Sequence, residues 1–254
     1  MRQRIEFQPA WLLSRKPYRE SSLLLEAFSR DHGRVGLVAR GARGPRSKLR
    51  GVLQPFAPLL LSWSESGELG TLIAAESGGA AVPLAGERVF HGWYLGELLL
   101  KLTQRHDPHP GLHRDYGRAL VQLPGAHGEV ALRIFEKRLL AELGYGLPLQ
   151  ADLDPAGRYH FDPERGATPS TGADAYAGAS LLALQQERLD TREALRDARK
   201  LLRAALQRQL GGASGEGAGG VDLAPARARR VGLLHRGAGV EQQPQRQRAL
   251  AQRL

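Results

Sequence analysis

"SSLLLEAFSRDHGRVGLVAR", residues 21–40, holds two apolar runs of strand length separated by Arg30-Asp31-His32-Gly33. Aliphatic runs this short suit strands, and Asp31 and Gly33 tolerate the backbone of a tight connection. The stretch reads as a β-hairpin. Working outward, "AWLLSRK" (10–16) precedes it, and "APLLLSW" (57–63) and "LGTLIAAE" (69–76) follow, flanking a second turn signal, "SESGE". Roughly five strands are therefore expected between Ala10 and Glu76. That is the strand count of the OB-fold barrel, which commonly binds single-stranded nucleic acid, and a five-stranded SH3-like barrel fits the same pattern.

"GGAAVPLAG" (78–86) reads as a boundary, after which the apolar period becomes that of helices. The expected organisation is α+β and multidomain: an OB-fold barrel over residues 1–80, an all-helical domain over 81–212, and a disordered basic tail over 213–254. "ERVFHGWYLGELLLKLTQR" (87–105) is apolar on nearly every face and predicts a central buried helix. "GLHRDYGRALVQL" (111–123) and "GEVALRIFEKRLLAELG" (128–144) predict two more, the latter with Leu132, Phe135, Leu139 and Leu143 as its core stripe and Gly144 as its stop. Residues 148–178 read as a long irregular insertion with an extended piece at "GRYHFDPERG". Asp190 and Glu193 approximate a capping box opening a helix that buries Leu195, Ala198, Leu202, Ala205 and Leu206 and ends at Gly211-Gly212.

The formal net charge is +10 with a pI near 10.5, a balance that points to a polyanionic partner. The excess lies at the ends: residues 1–83 carry 12 basic and 7 acidic side chains, whereas residues 84–210 carry 17 and 16. No acidic residue occurs from His32 through Ser64, yet Arg34, Arg40, Arg43, Arg46, Lys48 and Arg50 all do. "LVARGARGPRSKLRGVLQPF" (37–56) adds glycines that let the backbone approach a ligand closely, so these cations are the candidate phosphate contacts. The alternative is a solvated basic loop. Trp11, Tyr18, Phe28, Phe56 and Trp63 fall in the same region and are candidates for base stacking, although their aliphatic neighbours favour the core for most.

The chain has no cysteine, which excludes disulfides and cysteine-ligated zinc. With no secretory h-region and no long uncharged apolar run, the expected location is the cytoplasm, with no membrane partner. His106, Asp107, His109 and His113 are residue types that ligate metals, but prolines interrupt their spacing, so a surface loop is expected and no metal or cofactor is assigned. No phosphate-binding loop, nucleophile elbow or zinc-protease motif occurs, and catalysis is not expected. The 31 arginines, 5 lysines and absence of asparagine suggest codon bias in a GC-rich genome. Residues 213–254 resemble such DNA read out of frame, which makes a frameshifted tail an expectation.

The segment "AWLLSRKPYRESSLLLEAFSRDHGRVGLVARGARGPRSKLRGVLQPFAPLLLSW" resembles the N-terminal domain of the RecO family of recombinational repair mediators. The resemblance continues through "WYLGELLLKL", "LRIFEKRLLAELGYGLPL", "YHFDPERG" and "RKLLRAALQRQLGG", about residues 8–212. It implies binding of single- and double-stranded DNA, strand annealing and recombinase loading onto DNA coated by single-stranded DNA-binding protein, with RecR as a second partner. It also implies a pocket for the acidic C-terminal tail of single-stranded DNA-binding protein near "LRIFEKRLLAELGYGL". Arg133 is the expected carboxylate partner there, or alternatively pairs with Glu129 or Glu136 on an exposed helix face. Leu132, Leu139 and Leu140 are expected to receive the tail's apolar end. Many family members carry a four-cysteine zinc motif after this segment, and this chain has none. An RNA-binding or scaffold protein built on the same barrel is the competing reading.

Overall fold

The computed structural model describes residues 3–65 and 67–212; the expectations for the tail beyond Gly212 fall outside them. Five strands, β1 (Arg4–Tyr18), β2 (Ser22–Ser29), β3 (Gly33–Ala39), β4 (Pro58–Ser64) and β5 (Gly70–Ser77), close a barrel in the order β1-β2-β3-β5-β4. The expected hairpin at 21–40 is present, with Ser29 opposite Gly33, and Gly33 has φ +62, a backbone that glycine adopts without strain. β3 meets β5 in a short parallel pairing while β1 pairs with both β2 and β4. This order distinguishes the OB arrangement from the SH3-like alternative.

The apolar run "AWLL" does not alternate because both faces of β1 are buried. Ala10 and Leu12 enter the barrel interior with Leu25, Leu37, Leu61 and Trp63. Trp11 and Leu13 instead join Phe28 in a second core built with the helices. Those helices are α2 (Glu87–Leu102), α3 (Pro110–Gln122) and α4 (Gly128–Glu142). Gly117 of α3 admits the Trp11 ring, since a Cβ there would lie 2.8 Å from it. In the β3–β4 linker a single turn, α1 (Leu49–Val52), sets Leu49, Val52 and the fully buried Leu53 against one end of the barrel core.

α4 ends as expected: Gly144 has φ +83, and the Tyr145 amide donates to the Leu140 carbonyl at 2.8 Å. α2 is central but not buried all round, because Phe90 and Glu97 face solvent. The fold class stands, with one addition to the second domain: the 148–178 insertion is not merely irregular. It carries β6 (Arg158–Asp162), β7 (Gly166–Pro169) and β8 (Tyr176–Ala177) in the order β7-β6-β8, with β6 and β7 built from the expected extended piece and its continuation. Gln150 ties the insertion down through bonds in both directions with Ala167, and the Asp154 amide donates to the Tyr159 hydroxyl at 2.9 Å. α5 (Gly178–Gln185) and α6 (Arg192–Gly212) complete the described chain. Thr191, not Asp190, caps α6, accepting from the Ala194 amide at 3.1 Å. Its buried face includes Ala198, Leu202 and Leu206, as expected.

His113 marks the seam between barrel and helices. Its ring lies 6.3 Å from that of Trp11 and 5.9 Å from that of Phe28, and its Nε2 is buried without a hydrogen-bond partner. Burial, reinforced by Arg30 and opposed by Asp31, pushes its pKa down to about 4. The folded pKa lies below the unfolded value, so the unfolded chain binds more protons between pH 4 and 6.5, and stability falls as pH drops through that window. Urea titrations should show a loss of about 2–3 kcal/mol there, and His113→Phe should flatten this part of the profile. An unchanged slope in the variant would assign the dependence to other groups.

Candidate nucleic-acid interface

The β1–β2 turn and the β3–β4 linker lie at the same end of the barrel because β2 pairs with both β1 and β3. Leu23 is opposite Pro17 on one side and Ala39 on the other. The turn and linker are also bonded directly. The Arg43 amide donates to the Ser21 carbonyl at 2.9 Å, and the Arg43 guanidinium donates to the carbonyls of Arg19 and Glu20. Arg40, Arg43, Arg46, Lys48 and Arg50 are exposed, and none forms an ion pair with a carboxylate among the described residues. They form the core of a cationic surface.

Arg34 leaves this set. It lies on β3 with its side chain only 17% exposed, pairs with Glu26 at 2.9 Å and donates to the Thr103 carbonyl at 3.0 Å. Arg105 contacts the same carboxylate from beyond α2. The acid-free stretch of sequence is thus not free of acid in space, since β2 delivers Glu26 beside β3. Arg34 fastens the barrel to the helical region.

Three cations outside the acid-free stretch join the surface: Arg15, Lys16 and Arg19. Arg15 donates to the Leu53 carbonyl at 2.6 Å, and its pKa is lowered by burial first and by the nearby Arg50 charge second. Arg19, at φ +52, sits over the Tyr18 ring at 5.3 Å. Their sequence neighbours Glu20 and Glu26 conceal them from a linear charge scan. The pairing of "SRKPYRE" with β2 was the signal that could have placed them.

The cationic surface occupies one end of the barrel. At the other, the β4–β5 turn carries Glu65 and Glu68, and His106 lies 3.9 Å from Glu65. Of the candidate stacking aromatics, Trp11, Phe28, Phe56 and Trp63 are buried, leaving Tyr18 half-buried beside the cations. Among the described residues no cluster of three or more His, Cys, Asp or Glu is arranged to hold a metal, and no helix is long and apolar enough to cross a membrane. His109 lies 3.2 Å from Asp107 and 3.3 Å from Glu142, while His113 packs against Trp11 and Phe28.

Two family models divide the chain. Residues 1–79 match the recombination protein O N-terminal model and residues 84–215 its C-terminal counterpart. The chain is 49% identical over 219 residues to the DNA repair protein RecO of Alkalilimnicola ehrlichii, covering 82% of this chain and 87% of that one. It is 44% identical over 223 residues to the DNA repair protein RecO of Aromatoleum aromaticum, covering 83% and 92%, and 41% identical over 220 residues to that of Coxiella burnetii, covering 83% and 95%. The chain belongs to the RecO family.

The structure buries the residues expected from the resemblance to receive an acidic partner tail. Leu132, Leu139 and Leu140 are core residues, at 3%, 0% and 1% exposure, and present no open apolar surface. Arg133 does pair with Glu136, at 3.0 Å, but both are buried rather than on an exposed helix face. The Tyr94 hydroxyl donates to the other Glu136 oxygen at 2.7 Å, closing a network between α2 and α4. Burial raises the Glu136 pKa, and Arg133, the Tyr94 hydroxyl and Arg199 oppose the shift. The open cleft lies on the other flank of α4, against α3: about 270 Å³, lined by Arg118, Gln122, Ile134, Phe135 and Arg138 among others. Asp115 holds Arg138 there at 2.9 Å.

Proposed function

We propose that this RecO-family protein is a DNA repair and recombination mediator of the cytoplasm. It binds single- and double-stranded DNA, anneals complementary strands and helps load recombinase onto DNA coated by single-stranded DNA-binding protein. The observation that carries the reading is the cationic end of the barrel, where Arg15, Lys16, Arg19, Arg40, Arg43, Arg46, Lys48 and Arg50 lack carboxylate partners among the described residues. Such a surface binds phosphates without reading bases and releases condensed counterions as it does so. Annealing then needs no catalytic residue: neutralising two strands' phosphates lowers their mutual repulsion, and base pairing drives the rest. The protein acts as a binding mediator and not as an enzyme.

The α3–α4 cleft is the proposed seat of the acidic C-terminal tail of single-stranded DNA-binding protein. Arg118, with its side chain 62% exposed, supplies a cationic donor for a chain-end carboxylate, and the half-buried Ile134 supplies an apolar wall. RecR is the proposed second protein partner, from family membership alone.

One experiment separates the two activities. Wild-type protein should accelerate annealing of naked complementary strands and of strands coated by single-stranded DNA-binding protein. With a coat protein lacking its C-terminal tail, the naked-strand rate should persist while the coated-strand rate falls to the spontaneous level. Equal acceleration with and without the tail would remove the cleft's role, and failure on naked strands would remove the annealing activity itself.

A further inference from the structure

α2 presents an aromatic face that the helical core covers only in part. Phe90 is 44% exposed, and Trp93, three residues on and therefore its neighbour on the helix surface, is half-buried. Trp93 meets Phe56 edge-on, with ring centroids 5.1 Å apart and an interplanar angle of 62°. Phe56 ends the "RGPRSKLRGVLQPF" segment that carries Arg46, Lys48 and Arg50. It is held at φ +59, its carbonyl accepts from the Val82 amide at 2.9 Å, and its ring lies where a Cβ on Gly92 would come within 2.7 Å. A bulky residue with positive φ needs surroundings that hold it. Here they seat the end of the cationic linker against α2, just after Arg15 has bonded the Leu53 carbonyl.

We infer that Phe90 and Trp93 form a base-stacking platform that continues the cationic surface onto α2, engaging nucleobases of a single strand whose phosphates lie along the β3–β4 linker. The inference rests on the proposed binding of single-stranded DNA and adds the place where bases, not phosphates, are held. Proteins that grip single strands without sequence preference combine a cationic track with aromatic faces, because every base has a face to stack. Charge favours this surface over the exposed apolar residues of the barrel. Glu97, beside Trp93, is paired with Lys101 at 3.2 Å, leaving Glu87 as the acidic edge. Phe7, 57% exposed on β1, and Ile73, 46% exposed on β5, have no cationic linker leading to them.

The test uses the full chain, an oligothymidylate of about 16 nucleotides and the same oligomer with abasic sites, which keeps phosphates and removes bases. Wild-type affinity should fall roughly tenfold on base removal. A Phe90→Ser/Trp93→Leu variant should bind the normal oligomer about that much more weakly than wild type and be indifferent to base removal. Phe7→Ser should behave as wild type. Trp11 and Trp63 are buried, so acrylamide quenching of the wild-type protein reports mainly on Trp93. The normal oligomer should shield it and the abasic one should not, a readout that holds even where the double variant fails to fold. If wild type binds both oligomers alike and quenching is unchanged, the platform is overturned while DNA binding stands. If wild type binds neither, both readings fail together. Loss of affinity in Phe7→Ser without protection of Trp93 would move the stacking site to the barrel face.

Discussion

Replacing Arg40, Arg46 and Lys48 together with alanine is expected to lower affinity for single-stranded DNA about a hundredfold at roughly 0.1 M salt, and to make the log-log salt dependence shallower by about two. The magnitude follows from three lost phosphate contacts, each releasing somewhat less than one counterion from a single strand. These positions are preferred because each is exposed and makes no ion pair with a carboxylate among the described residues. Arg43 is left in place because its bonds to the Arg19 and Glu20 carbonyls hold the β1–β2 turn against the linker. Fluorescence anisotropy across a salt series checks the result, with thermal melting to show that the fold is intact. A folded variant with wild-type affinity and slope would make the linker a solvated connection, as the alternative reading of its charge would have it.

The second large effect is on stability. Arg133→Ala should destabilise the protein by about 3–5 kcal/mol at neutral pH, because it strands Glu136, at 0% exposure, without its cation. The pH dependence has a definite sign. Burial already holds the Glu136 pKa above its unfolded value, and losing Arg133 raises it further. A carboxyl group with a raised folded pKa is tolerated while protonated and becomes costly as pH rises through that pKa, so the variant's deficit should shrink toward pH 5 and grow toward pH 8. Arg133→Met combined with Glu136→Leu should recover most of the loss, since an apolar pair of similar volume removes the desolvation cost along with the attraction. Urea denaturation of the single and double variants at the two pH values measures all of this. A single variant of wild-type stability that no longer binds the partner tail would restore Arg133 to the recognition role expected from sequence.

That reversal shows why parts of the site were legible and others were not. Amphipathic spacing marked "LRIFEKRLLAELG" as a helix, but it is buried on more than one side, so helical period could not say whether Arg133 pointed to solvent or to α2. Arg34 failed for a related reason. A charge scan counts neighbours along the chain, and its carboxylate partner, Glu26, stands on the adjacent strand. The cations at 40–50 could be found because they lie in a linker between strands, where chain proximity and spatial proximity nearly coincide. Arg15, Lys16 and Arg19 reach the same surface through strand pairing, and their acidic sequence neighbours masked them.

Sequence by itself determined the barrel's hairpin, the change from strand to helix after Gly86, the stop of α4 at Gly144 and the basic character of the β3–β4 linker. Each depends on short-range physics: turn backbones that glycine accepts, side-chain periods of two or of 3.6, and charges close along one loop. Tertiary structure decided the strand order that selects the OB arrangement, the burial of Trp11 and Phe28 between barrel and helices, the small sheet within residues 158–177, and which arginines are free to meet a polyanion. Those depend on which surfaces meet after the chain has folded back on itself. An arginine beside a carboxylate from another strand is structural, and the same residue facing water is available for binding.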